Sequence, residues 1–348
     1  MIAFVAPGAL TQLTGGYIYD KQIVDGLKRL GCRVAVKRVS AHFPNPTPRD
    51  LREAARVLAS IPDGSVAIID GLAGGAMPRQ IEHEAERLRI IALVHHPLAL
   101  ETGVPKKDAL ELRMREQSTL RHARHVVVTS PRTARALLRN YGVKRSRITC
   151  IEPGTDKFPA GGGTRRNSLL CVATLTPRKG HVTLIRALAR LAHLDWHLTC
   201  LGSLDRNRET VRRVRDEIRR AGLSRRVTFA SETRSRTQLS RYYRKADLFV
   251  LATEYEGYGM AVAEAVGSGL PVISTPTGAI PDLVGREAGI LVPPGNVDVL
   301  ARALARVLVD DRVHAKLRAG AMRRRRTLPS WAQAVRRFAS VIRKVARP

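Results

Sequence analysis

Short apolar runs alternate with longer segments of helical period along the whole chain, which is the pattern of a parallel sheet covered by helices. In the first half it predicts strands over 2–7, 33–40, 65–72, 90–96, 125–130 and 147–154, with helices between most of them, for example 17–30 and 106–123. The stretch "DKFPAGGGTRRN", 156–167, then sets a proline and a run of glycines where all periodicity stops, and reads as a hinge. Alternation restarts at 168–176 and continues through 197–203, 226–231, 247–253, 271–276 and 289–294, after which the period is helical to the end. The expected architecture is α/β: a doubly wound domain over 1–155, the hinge 156–167, a second doubly wound domain over 168–328, and a helical segment 329–348. A ligand is expected in the cleft where strand C-termini of the two halves meet.

Length and composition agree with this pattern. At 348 residues the chain exceeds what one core usually supports, and 44% hydrophobic content is ample for two. Sixty Lys and Arg against 30 Asp and Glu leave a formal charge of +30, which implies a polyanionic neighbour: nucleic acid, an anionic bilayer or phosphorylated substrates. Cys32, Cys150, Cys171 and Cys200 stand apart in apolar runs and read as buried free thiols of a reducing compartment. The first residues, "MIAFVAPGAL", run straight into a strand-like segment, and no apolar stretch reaches the ~18 residues of a membrane span. A cytoplasmic protein, soluble or peripheral, is expected.

The candidate chemistry sits at two strand ends. In "EYEGYGMAVAEAVGSGLPVIST", 254–275, Glu256 and Glu264 stand eight residues apart. On one continuous helix they would lie about 12 Å apart along the axis and roughly 80° apart around it, a poor chelating pair. Gly257 and Gly259 instead predict a turn at the C-terminal end of the strand 247–253, so Glu256 falls on the loop and Glu264 in the following helix. Amides at such a helix start receive bound oxygens, and two carboxylates beside them suit a ligand combining phosphate with hydroxyls, such as a nucleotide sugar. The strand 168–176 runs into an equivalent turn, where Arg178, Lys179 and Gly180 put two cations before a helix. Either loop alone is an ordinary solvated turn; both in one domain point to a shared ligand.

These stretches resemble the retaining glycosyltransferases of family 4, which have the GT-B fold of two Rossmann-like domains facing across a cleft, with a last helix crossing back to the first domain. The first stretch matches that family's Glu-x7-Glu signature with its Gly-aromatic-Gly insert, and "TLTPRKGH" matches its diphosphate loop. The resemblance covers almost the whole chain, including "LTGGYIYD" near the start and the tryptophan-bearing final helix. It implies that Glu264 binds the donor ribose and that Glu256 faces the transferred hexose together with the backbone of Gly257, Tyr258, Gly259 and Met260. Arg178 and Lys179 would neutralise the diphosphate. Gly15 and Gly16, placed in the loop after the first strand, would reach the phosphates or form a plain turn. His95, with His96 as the alternative, would lie near sugar and acceptor, and Phe229 to Ser231 would hold the base through the backbone. Many members carry Gly-Arg where this chain has Ala173 and Thr174, so the second phosphate cation is either Arg178 or missing.

No Asp-x-Asp occurs and the histidines lack ligand spacing, so a metal-independent transfer without further cofactor is expected, with retention implied by the resemblance. Residues 1–155 hold 24 Lys and Arg against 14 Asp and Glu, leaving 36 against 16 beyond, so most of the excess lies outside the first domain. The segment 106–125 is amphipathic and basic and could meet an anionic membrane. Nucleic acid is a disfavoured partner: 4% aromatic residues supply few stacking platforms, and "MRRRR", 322–326, reads as a helix end or a solvated patch. Sugar epimerases and phosphorylases share the architecture and stay open as alternatives. Donor base, hexose and acceptor, whether glycan, lipid or small molecule, are not encoded in these motifs.

Overall fold

The computed structural model describes residues 1–101, 104–161, 167–231 and 235–347; the central part of the expected hinge lies outside them. The chain forms two compact units, Met1–Gly154 with Pro329–Pro348, and Thr155–Leu328.

The first unit has a parallel sheet of β1 (Ile2–Pro7), β2 (Val34–Val39), β3 (Val66–Asp70), β4 (Arg89–Val94), β5 (His125–Val128) and β6 (Ile148–Cys150), in the order β2-β1-β3-β4-β5-β6. Its strands alternate between two cores. Ala3, Val5, Ala67 and Ile69 face one, while Phe4, Ala6, Val66 and Ile68 face the other, so both faces are apolar and the strands read as unbroken hydrophobic runs. The helix Trp331–Ala346 covers the second face through Val335, Phe338, Ala339 and Ile342 and starts with a capping box of Ser330 and Gln333. It packs on the helix Gly15–Arg29 at Gly26, where a Cβ would fall 2.2 Å from Val335 Cγ2.

The second unit has β7 (Ser168–Val172), β8 (His197–Leu201), β9 (Val227–Ala230), β10 (Leu248–Leu251), β11 (Val272–Ser274) and β12 (Gly289–Leu291), in the order β12-β11-β10-β7-β8-β9, all parallel. Counted from β7 this is the strand order of a dinucleotide-binding sheet, whose topological switch point falls between β7 and β10.

Every expected strand is present, but most are shorter at their C-terminal ends than the apolar runs suggest, because the ladder stops where neighbours diverge and the next residues enter loops. The arginine run is not simply solvated. Arg323 pairs with Glu287, Arg324 donates to the carbonyls of Asp282 and Leu283, and Arg325 Nη1 donates to Phe158 O at 2.6 Å, so the run staples the helix Asp311–Thr327 to loops of its own unit. Cys171 and Cys200 are buried register partners on β7 and β8, whereas Cys32 and Cys150 are only half-buried.

Candidate functional site

The strand order makes neighbours of the two loops that leave β7 and β10. Pro177–Lys179 forms a short 3-10 turn, and Gly180 follows at φ 67° as the cap of the helix His181–Ala189. A Cβ on Gly180 would lie 1.9 Å from Ala252 O, so only glycine lets the loops touch here. They are also bonded: Glu254 N donates to Arg178 O at 2.7 Å, and Thr253 Oγ1 donates to the same oxygen at 3.0 Å. Gly259, at φ 92°, turns the second loop into the helix Met260–Gly267, leaving Glu256 on the loop and Glu264 in the helix.

Glu256 is buried and ion-paired with Lys179 Nζ, and Arg178 Nη1 lies 3.9 Å from the same carboxylate oxygen and donates to Tyr255 O at 3.0 Å. Two cations and one acid are thus gathered on the loops that lead into the helices His181–Ala189 and Met260–Gly267, an arrangement able to exchange an internal ion pair for a phosphorylated ligand. Gly257 belongs to the same loop, its carbonyl accepting from Ala279 N at 3.2 Å. The Tyr258 side chain is buried in the apolar core, and Met260, half-buried, packs against that core.

Glu264 has different partners. Its Oε2 accepts from Tyr243 Oη at 2.9 Å and its Oε1 from Arg236 Nη1 at 3.1 Å. Arg236 also pairs with Asp156 and lies 4.7 Å over the Phe158 ring. Burial, and then the Glu264 charge, push the Tyr243 phenol well above its usual range, so it stays a donor. Sequence reading missed Arg236 and Tyr243, which no motif marks. Phe229 is half-buried on β9 at the sheet edge, with Ser231 exposed just beyond it, two strand spacings, or about 10 Å, from β7.

Gly15, Gly16 and His95 belong to the first unit. The glycines are not loop residues: they form the first turn of the helix Gly15–Arg29, because Thr14 is already the extended cap. Gly16 passes under His95, its missing Cβ 3.3 Å from the ring carbon Cδ2. His95 follows β4 and meets two buried carboxylates, with Nε2 3.0 Å from Asp20 Oδ1 and 3.5 Å from Asp70 Oδ2. Asp70 ends β3, and its Oδ1 also accepts from Leu72 N. His96 instead lies 3.0 Å from Glu101. Neither aspartate was singled out from the sequence, although Asp20 falls one helical turn beyond Gly16 and Asp70 ends a strand. Ligand atoms of Asp20, Asp70 and His95 lie within 4.8 Å of one another, close enough to share a cation, which linear spacing could not reveal. Among the described residues no helix is long and apolar enough to cross a membrane.

Comparison with known proteins follows the same division. A family model described as Glycosyltransferase Family 4 matches residues 19–157, and one described as Glycosyl transferases group 1 matches residues 155–324. The chain is 27% identical to an MMP alpha-(1->4)-mannosyltransferase of Mycolicibacterium hassiacum over 88% of this chain and 78% of that protein. Seven other curated relatives, among them D-inositol 3-phosphate glycosyltransferases, are spanned over 52% to 65% of their own length. Among solved structures, sucrose-phosphate synthase of Thermosynechococcus elongatus superimposes with a TM-score of 0.84 at 23% identity, over 99% of this chain and 98% of that one. Anabaena HepE in complex with UDP-glucose does so with a TM-score of 0.77 at 16% identity, over 99% of both chains. These likenesses are to the GT-B fold.

Proposed function

Because the chain belongs to glycosyltransferase family 4, we propose that it moves a hexose from a nucleoside-diphosphate sugar to an acceptor hydroxyl, retaining the anomeric configuration and needing neither metal nor further cofactor. The observation that carries this reading is the meeting of Lys179, Arg178 and Glu256 at the switch point beside the helix that starts at Met260. As the glycosidic bond breaks, charge accumulates on the departing diphosphate, and cations already in place stabilise it most where water is excluded. Lys179 and Arg178 supply that charge. Glu256 holds Lys179 in position before the donor arrives and then turns to the sugar hydroxyls with the backbone of Gly257 to Met260. Glu264, oriented by Tyr243 and Arg236, accepts from the ribose. Phe229 to Ser231 frame the base. The UDP-glucose bound by HepE supports a nucleotide-sugar donor, and the named mannosyltransferase supports a hexose.

The test is a donor panel. Thermal shift with UDP, GDP, ADP and their hexose conjugates identifies the donor, since a ligand of the folded state raises stability with the logarithm of its concentration. Transfer with that donor then falls on the order of 100-fold in Glu264→Ala and Lys179→Ala, and rates within twofold of the parent would refute the assignment. Product anomers read by NMR test retention, and unchanged rates in EDTA test metal independence.

A second reading concerns the acceptor. On the helix Lys106–His122, Leu110 and Met114 are 60% and 61% exposed, one turn apart and beside Lys106, Lys107 and Arg113. This favours a lipid-linked acceptor at an anionic cytoplasmic membrane face over nucleic acid. Flotation with vesicles that does not depend on anionic lipid would refute it.

A further inference from the structure

We propose that Cys171 and Cys200 form a reversible dithiol–disulfide switch behind the Lys179 loop, closed by hydrogen peroxide and opened by a dithiol. The bond stands on the geometry of the second unit alone; its effect on a nucleoside diphosphate rests on the donor site proposed above. The two cysteines are register partners on the neighbouring parallel strands β7 and β8, so their side chains leave the same face of the sheet, and both are 1% exposed within one core. Neighbouring strands run about 4.8 Å apart, near the lower end of the roughly 4.4–6.8 Å between α-carbons that a disulfide spans. A bond made there is strained, and strained disulfides are readily reduced.

The two thiols have different surroundings. Cys171 Sγ lies 3.7 Å from His181 Nε2, on the first residue of the helix His181–Ala189. The hydrogen bond from Cys200, and behind it the charges of His181 and Lys179, hold the Cys171 thiol below the usual thiol range against the effect of burial; the same hydrogen bond, then burial, push Cys200 upward. Cys171 is therefore the nucleophile, and Cys200 keeps its proton until it resolves the intermediate. The Cys171 thiolate, its proton passed to His181, attacks one oxygen of the peroxide; the O–O bond breaks, a sulfenic acid forms, and the departing hydroxide takes the proton from His181 as water. Cys200 then attacks the sulfenic sulfur, the S–O bond breaks, and the second water leaves with the Cys200 proton. Two thiols and one peroxide thus give one disulfide and two waters, the sulfurs losing the two electrons that the peroxide oxygens gain. Burial sets the oxidant: a molecule close to water in size enters, and a glutathione-sized disulfide does not.

His181 carries the change to the loop. It is 2% exposed, and among the described residues Cys171 Sγ is the one hydrogen-bond partner of its ring, whose Nδ1 is buried without any. It follows Gly180 directly, and Gly180 follows Lys179. Just beyond the cysteines the two strand ends touch, a Cβ on Gly202 falling 2.1 Å from Ala173 O, so a shift of one strand is felt by the other. Turning Cys171 Sγ from His181 to Cys200 takes the only partner from the ring, loosens the start of the helix and holds Lys179 less firmly against a diphosphate.

The test uses the full chain with Cys32→Ser and Cys150→Ser, which removes the two half-buried thiols and leaves the pair. Hydrogen peroxide should cost the folded protein both remaining thiols and two hydrogens of mass, and digestion should yield Cys171 joined to Cys200; glutathione disulfide should do neither. On oxidation, amide hydrogen exchange over 177–184 should speed up at least about fivefold, and among UDP, GDP and ADP the Kd of whichever binds the reduced form should rise at least about tenfold, both changes reversed by dithiothreitol. Adding Cys200→Ser should stop the reaction at a sulfenic acid on Cys171, trapped by dimedone; if that variant does not fold, mass and exchange on the two-thiol protein still decide. No bond in the folded chain, thiols that react only in urea, sulfenic acid trapped on Cys200, or a bond that leaves exchange over 177–184 unchanged would each overturn the proposal. A disulfide that forms and speeds exchange in a chain binding none of the three nucleotides in either state would count against the proposed function and leave the switch standing.

Discussion

Replacing Lys179 by Met separates two roles that one residue plays. The Lys179 side chain is 15% exposed and that of its partner Glu256 is 10% exposed. Removing the ammonium takes the ion-pair partner from a carboxylate that has Arg178 at 3.9 Å and the Thr253 hydroxyl at 3.5 Å beside it. Breaking a buried pair on one side typically costs 3–5 kcal/mol; with Arg178 still near, about 3 kcal/mol is expected here, a fall of about 6–12 °C in the melting of the second unit. Catalysis should lose a similar amount for a different reason, about 3 kcal/mol of transition-state stabilisation or roughly 100-fold in kcat/KM, because a diphosphate donor group is gone. Adding Glu256→Gln to Lys179→Met removes that carboxylate charge, so melting should recover by more than half while transfer stays depressed. Calorimetry and initial rates on the parent, the two single variants and the double variant complete the cycle. If Lys179→Met transfers sugar within twofold of the parent, or if the double variant regains rate along with stability, Lys179 is a structural cation only.

Two further outcomes follow from the same geometry. Gly180→Ala must take a left-handed backbone and place a methyl 1.9 Å from Ala252 O, so the β7 and β10 loops must part; a loss of about 3 kcal/mol in urea unfolding, with weaker donor binding, is expected, and an unchanged midpoint would refute the close approach. Asp50 caps the helix Pro48–Ala59 and accepts from Thr47 and, at 2.9 Å, from His42 Nδ1. The Thr47 hydrogen bond, then those of Ser40 and His42, hold its carboxyl well below the usual range, so its stabilisation is present above the ordinary carboxylate pKa and is lost as pH falls below it. Asp50→Ala should accordingly lower the melting temperature at pH 7 and show a smaller acid-induced decline than the parent; equal slopes in acid would refute the cap.

What the linear pattern determined is local. Apolar runs of strand length alternating with helical period specified two doubly wound sheets, and Gly180 and Gly259 marked the turns at which Arg178, Lys179 and Glu256 stand, since turn chemistry and burial periodicity are written within a few residues. Strand ends, the helical placement of Gly15 and Gly16, and the stapling of Arg323 to Arg325 depended on neighbours, and the motif reading misjudged or missed them. Tertiary structure alone decided that β10 lies beside β7, which sets Lys179 against Glu256, 77 residues later in the chain. It also set His95 against Asp20, 75 residues earlier, and against Asp70. Parallel strands are joined by long crossovers, so which strand ends become neighbours follows from the packing of entire sheets, and no spacing along the chain records it.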